Sequence, residues 1–510
     1  MRVAVIGKLK RRVSQRKDGN VLHEWVLYGR MFFFLMTGCL AVFAEAGDGV
    51  SEYPEVIEQT DVAPVWSVHR IGSPVLLTHA PFQYVGYYDA DRYLTVAQRR
   101  LDSEAWQFHR FPIQMGWPTG GHAKLTLAVD RDGFLHVSSY RRGLLQGPPS
   151  PPAILYYRSE KPHDIGSFER LQMVSPEEDP GYPTFITGPD GTLYFEYRQG
   201  SSGRGDQIYN VYDPDTRNWQ RLLDVPLLDG RGLMNAYGGP RFGPDGMWHA
   251  VWVWRNTPCN STNHTLSYAR SPDMRHWQSI DGQTVTLPMT SETESVIVDP
   301  VGPGQGLSNM TSLRLGWDSR QRTVHSYHKY DDRGNSQIFN ARFQGGRWLR
   351  VRATEWDFRW DTSGTGALPY VVRVGAIRSP GDGRLEQVVW SQRHGSQRII
   401  LDEATLTPVD TRPPVPAPAW RRALSSPESD FRVPANDRLL RAGGRMRVQW
   451  INDQGGSADG RSRYLLRWEN AGGNNDRPVP EPWPAPTMLR VLRIEAEASE
   501  AAGVDERQQD

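Results

Sequence analysis

Apolar and polar residues alternate by two through most of this chain, in short runs separated by turns bearing Gly, Asp and Pro. Such alternation puts successive side chains on opposite faces of a strand. Three segments share one plan, an Asp-Gly turn followed by an alternating strand: DRDGFLHVSSYRR (130–142), GPDGTLYFEYRQG (188–200) and GPDGMWHAVWVWR (243–255). Weaker copies lie at 87–100, 318–330, 381–393 and 442–454. The clear copies start 58 and 55 residues apart (188 − 130 and 243 − 188), about one four-stranded propeller blade. Seven copies predict an all-β chain folded as a seven-bladed β-propeller. Helical periodicity is scarce.

Composition supports this picture. The 510 residues include 49 Gly and 38 Pro for turns, with 18 Trp and 20 Tyr to fill the space between sheets or line a sugar cleft. Lys plus Arg number 59 and Asp plus Glu 58, a net charge of +1, so there is no basic footprint for nucleic acid. Lysine occurs only at 8, 10, 17, 124, 161 and 329. The cations are therefore mainly Arg, which suits bidentate recognition of carboxylate or sulfate.

The run from Met31 to Phe43, followed by Ala44-Glu45-Ala46, reads as a signal peptide too short to span a bilayer. Cleavage near Ala46 predicts a secreted or periplasmic protein. Removing residues 1–46 leaves 51 basic and 55 acidic residues, a net −4, and Cys259 as the sole cysteine. No intrachain disulfide is then expected, although the compartment is oxidising. The expected organisation is a leader at 1–46, one propeller domain at 47–495 and an acidic disordered tail at 496–510. No other segment reads as membrane-spanning, and a monomer is expected.

Candidate chemistry concentrates between Gly121 and Asp206. His122 follows two glycines and precedes the strand AKLTLAV. Tyr182 stands before Pro183, which keeps it extended. Arg198 ends the strand TLYFEYRQG and leads into the loop SSGRGD, whose glycines let backbone approach a ligand closely. A histidine, a tyrosine and an arginine within 77 residues (198 − 122 + 1) can serve as base, acid and charge neutraliser for an acidic sugar.

These segments, with MNAY (234–237) and HAVWVWRNTPCNSTNHTLSYARSPD (249–273), resemble the BNR-repeat family that includes ulvan lyases and related rhamnosyl-glucuronate-acting enzymes. Ser271-Pro-Asp273 with Trp277 also resembles a shortened Asp-box, a turn of sialidase-like blades. The resemblance runs from about Tyr87 to Trp277 and implies a seven-bladed propeller with its site at one end of the channel. It implies that His122 and Tyr182 share the base and acid roles and that Arg198 neutralises a uronate carboxylate during β-elimination. It further implies Tyr237 as a site-lining residue; Arg204, in the glycine-rich loop, and Arg142 are substrate-binding candidates. The family's usual D-x-H-N reads GGHAK here, and Arg142 stands where a second histidine is usual. Arginine cannot act as a base at ordinary pH; it can bind a second anionic group such as sulfate.

His249, Cys259 and His264 form a second constellation of zinc-ligating types, and the resemblance supports a structural zinc there. The elimination itself needs no metal. The leading expectation is a polysaccharide lyase acting on a uronate-containing, ulvan-like, sulfated or rhamnose-bearing glycan. A glycoside hydrolase on the same scaffold, with Glu196 and Asp206 as its carboxylates, is one alternative. A non-catalytic glycan-binding propeller is the other.

Overall fold

A strand with two apolar-leaning faces must stack sheet on sheet to bury both. The structure is a computed structural model that describes residues 56–495, except 70–72, 117–123, 142–152, 175–179, 312, 367, 418, 438–442, 456–461 and 475–476. The expected leader, the expected tail, His122 and Arg142 lie outside the described residues.

After β1 (Val56–Val65) the chain lays down four-stranded antiparallel meanders in sequence order. The first is β2 (Val75–His79), β3 (Phe82–Tyr88), β4 (Tyr93–Arg100) and β5 (Gln107–Gln114). The second is β6 (Leu125–Val129), β7 (Leu135–Arg141), β8 (Ala153–Ser159) and β9 (Phe168–Leu171). The third is β10 (Pro180–Thr187), β11 (Leu193–Ser201), β12 (Arg204–Asp213) and β13 (Asn218–Arg221). A single bridge, Gly205 beside Asn235, joins it to the fourth: β14 (Asn235–Phe242), β15 (Trp248–Arg255), β16 (Asn263–Ser271) and β17 (Ile297–Asp299). The fifth is β18 (Arg314–Trp317), β19 (Thr323–Tyr330), β20 (Ser336–Gln344) and β21 (Arg347–Arg352). The sixth is β22 (Val372–Arg378), β23 (Arg384–Ser391), β24 (Gly395–Asp402) and β25 (Pro408–Arg412).

A short helix, α1 (Ala419–Leu424), and a two-stranded ribbon, β26 (Arg432–Val433) with β27 (Gly444–Arg445), precede the last sheet. There β28 (Arg447–Asn452), β29 (Ser462–Asn470) and β30 (Thr487–Glu495) are completed by β1, which runs antiparallel to β30. The two ends of the described chain therefore share one sheet. The architecture is all-β, as expected. No helix among the described residues is long and apolar enough to cross a membrane.

Apolar clusters lie between successive sheets. Leu94 and Phe111 of the first meet Leu125, Leu135 and Tyr157 of the second. Phe185, Phe195 and Trp219 of the third meet Ala128 and Tyr156 of the second. The strand β11 shows how alternation serves two interfaces: Leu193, Phe195 and Tyr197 enter the cluster toward the second sheet, while Tyr194 enters the cluster toward the fourth.

The Asp-Gly copies at 130–142, 188–200, 243–255, 318–330 and 381–393 each deliver the second strand of a sheet (β7, β11, β15, β19 and β23). The copies at 87–100 and 442–454 do not: they hold β4, a third strand, and β28, a first strand. Alternation marks a strand but not its place in the sheet. The turn at Ser271 matches the Asp-box expectation. Asp273 accepts the N–H groups of Arg275 and His276, and Trp277 is buried with its indole donating to Met274 O.

Candidate functional site

Antiparallel order gives each sheet two ends. The start of the first strand and the turn between the second and third strands share one end. Tyr182, Arg198, the Ser201–Arg204 turn, Tyr237 and the segment after Arg255 all fall at that end.

Tyr182 and Pro183 form a bulge. The pairing of β10 with β11 runs Gly181 to Arg198 and then jumps to Thr184 opposite Glu196. A bulge re-aims the side chain it contains. Here it holds Tyr182 at φ 58°, not in the extended conformation expected before Pro183 but in a left-handed one that a tyrosine adopts only when its surroundings enforce it. The result is that the Arg198 guanidinium carbon sits 4.9 Å from the Tyr182 ring centre. A cation over an aromatic face is attracted electrostatically. Arg198 Nε donates to Gly200 O at 2.9 Å. Its Nη1 is buried and has no hydrogen-bond partner among the described residues. The guanidinium is thus pinned by its inner nitrogen, with donor capacity left over.

The hairpin tip beyond Arg198 is docked on the fourth sheet. Ser202 Oγ and Tyr237 Oη lie 2.9 Å apart, and the Gly205 N–H donates to Met234 O at 3.0 Å. The Gly203 N–H donates to the buried Asn235 side chain. Gly203 has φ 82°, and a Cβ there would lie 2.7 Å from Thr257 backbone, so only glycine fits. Arg204 is exposed at the start of β12, opposite Ser201.

The two carboxylates weighed for hydrolysis sit on neighbouring strands, Glu196 on β11 and Asp206 on β12. Glu196 is part-buried, and its Oε1 lies 2.9 Å from where a Gly239 Cβ would stand. Burial pushes its carboxyl above the ordinary range, while Lys124, Tyr209 and Arg241 pull it down. Asp206 accepts the Gly230 N–H at 2.9 Å. Burial raises its carboxyl, the Gly230 N–H lowers it in part, and Asp229 raises it again.

His249, Cys259 and His264 do not gather. His249 pairs with Arg270 near the far end of β15, whereas His264 pairs with Trp254. Five residues of strand separate the two positions, on the order of 17 Å. Both His249 nitrogens are already engaged, Nδ1 with Tyr268 Oη and Nε2 with Asp245, each at 2.8 Å. His264 is held by Thr265 and Asn256. Cys259 Sγ accepts the Gly364 N–H and contacts Ser261 Oγ, both at 3.2 Å. No group of three His, Cys, Asp or Glu among the described residues is placed to hold a metal. As arranged, this trio does not fit a zinc ion.

The structure therefore brings together Tyr182 and Arg198, and joins Tyr237 to their hairpin. Ser202 and Asn235 lie inside SSGRGD and MNAY without being singled out by them, and no motif singles out Arg255.

Residues 82–356 match the family model described as "BNR repeat-containing family member". The "Ulvan lyase, long isoform" of Alteromonas sp. (strain LOR) is 25% identical over 148 residues, covering 27% of this chain. That stretch spans only 14% of the relative's length. The crystal structure of the polysaccharide lyase Uly1 superposes with a TM-score of 0.55 at 14% identity, over 86% of this chain and 99% of that one. A PL25 ulvan lyase bound to -[GlcA(1-4)Rha3S]- gives 0.50 at 14% identity, over 84% and 94%. These likenesses establish a shared fold.

Proposed function

The chain belongs to the BNR repeat-containing family, and from that premise we propose that it is a secreted polysaccharide lyase, a seven-bladed propeller that cleaves a uronate-containing, ulvan-like glycan by β-elimination. The observation that carries this reading is the Tyr182–Arg198 pair: a pinned guanidinium 4.9 Å from a tyrosine ring, at the sheet end where propeller sites lie. The ulvan lyase relatives and the polysaccharide lyase folds support it.

In this reading Arg198 meets the uronate carboxylate, and its charge stabilises the enolate-like species formed when the C5 proton leaves. The C5–H electrons become the C4=C5 double bond, the C4–O4 bond breaks, and O4 takes a proton. His122 and Tyr182 share the removal and the delivery of protons. Tyr237 and Arg204 line the approach, with Arg142 as a second anion contact. No step is routed through a metal.

The test is incubation with a panel of uronate polysaccharides. The expected product absorbs in the ultraviolet because elimination leaves an unsaturated uronate, and Arg198→Met slows its formation about 100- to 1,000-fold. Reducing ends released without that absorbance would replace the reading with hydrolysis. Glycan binding with neither signal would replace it with a binding module.

A further inference from the structure

Arg255 ends β15 and is only 5% exposed, yet no carboxylate pairs with it among the described ion pairs. Its Nε donates to Thr257 O at 3.0 Å and its Nη2 to Pro258 O. Its guanidinium carbon lies 5.4 Å from the Tyr237 ring centre. A buried cation is costly unless its donors are engaged. Here they clamp the Thr257–Pro258 backbone instead of a counter-ion. That backbone is the surface against which Gly203 closes, with room for no Cβ. Tyr237, over the same guanidinium, reaches Ser202 in the same tip. Arg255 thus touches both surfaces that seat the hairpin tip, and that hairpin carries Arg198.

We propose that Arg255 is a positioning residue. It fixes Tyr237 and the Thr257–Pro258 wall, which hold the Ser201–Arg204 turn and so set the direction of Arg198. This rests on the lyase reading for its kinetic test but not for its structural one. A misplacement of about 1 Å can cost about 100-fold in rate.

In Arg255→Met the amides of Gly203 and Gly205 should exchange hydrogen faster than in the unaltered protein. With a uronate glycan, kcat should fall about 10- to 100-fold with KM little changed, because the residue acts through the hairpin and not on the sugar. Arg255→Lys, which keeps the charge but loses the two-carbonyl fork, should recover less than half of the lost rate. Unchanged amide exchange overturns the proposal whatever the activity. A change confined to KM overturns it in favour of direct substrate contact. If Arg255→Met does not fold, Gly203→Ala, which pushes the tip off Thr257 with Arg255 intact, decides: an unchanged kcat overturns the proposal and a fall supports it. Faster exchange in Arg255→Met, with no unsaturated product from the unaltered protein, would sink the lyase reading and leave the positioning role standing.

Discussion

Arg342 in the fifth sheet and Arg198 in the third are both tucked among strands, and their surroundings treat them oppositely. Arg342 is fully buried and saturated. It donates to Asp318 at 3.1 Å, to Gln344 at 2.8 Å, and to the carbonyls of Glu403 and Ala404 at 2.6 and 2.7 Å. Arg198 has the Gly200 carbonyl, the Tyr182 ring and a buried Nη1 with no partner among the described residues. Full engagement suits a cation that serves the fold, because an unmade hydrogen bond in low dielectric is costly. One left incomplete, beside a tyrosine held in a left-handed conformation, marks a place where the fold tolerates strain for another purpose.

That contrast can be broken or sharpened by experiment. Arg342→Met leaves Asp318 and two carbonyls short of a partner, and should lower stability by about 3–5 kcal/mol in denaturant unfolding. Any loss of activity should then track the folded fraction. Arg198→Met should do the reverse: a loss of about 100- to 1,000-fold in kcat on a uronate glycan, with the unfolding midpoint nearly unmoved. If both variants lose stability equally, the contrast fails.

A smaller effect should come from pH. Burial pushes the imidazole of His325 down to about 3 and that of His328 to about 4, from an ordinary 6.5. His328 keeps a neutral ring whose Nδ1 donates to Gly306 O at 2.6 Å. On unfolding both histidines recover their ordinary affinity for protons, so below 6.5 the unfolded chain binds more protons than the folded one. Their contribution is complete above that value and is lost as pH falls toward 4 and then 3. Melting temperature against pH should show this decline, and His325→Phe should flatten it.

The smallest effect is expected at Cys259, whose contacts are to Ser261 and the Gly364 backbone. Cys259→Ser should leave the zinc content of the purified protein unchanged. A loss of bound zinc in that variant would show that the loops regroup around a metal.

Much of the scaffold was legible because its signals are local. The Asp-Gly turn and the period of two reside in a dozen consecutive residues, and five of the seven copies fell on second strands. The other two misled because edge and inner strands share the same alternation. Two residues that motifs singled out, Tyr182 and Arg198, lie side by side in the structure. Arg255 was not singled out, since nothing in WHAVWVWR distinguishes a clamp from a strand-end arginine. The histidines of the second constellation misled for the opposite reason. They are metal-ligating types close in sequence, but an extended strand carries each residue about 3.3 Å further along.

By itself the sequence determined that this chain is all-β and built from repeated short strands. Those properties follow from side-chain alternation and turn chemistry, which act over a few residues. Only the tertiary structure decided which arginine is saturated and which is left with unspent donors. It also decided that β1 completes the last sheet, and that His249 belongs to Tyr268 and Asp245. Each of those facts is a hydrogen bond or a contact between strands, and its partner is fixed by packing, not by proximity in the chain.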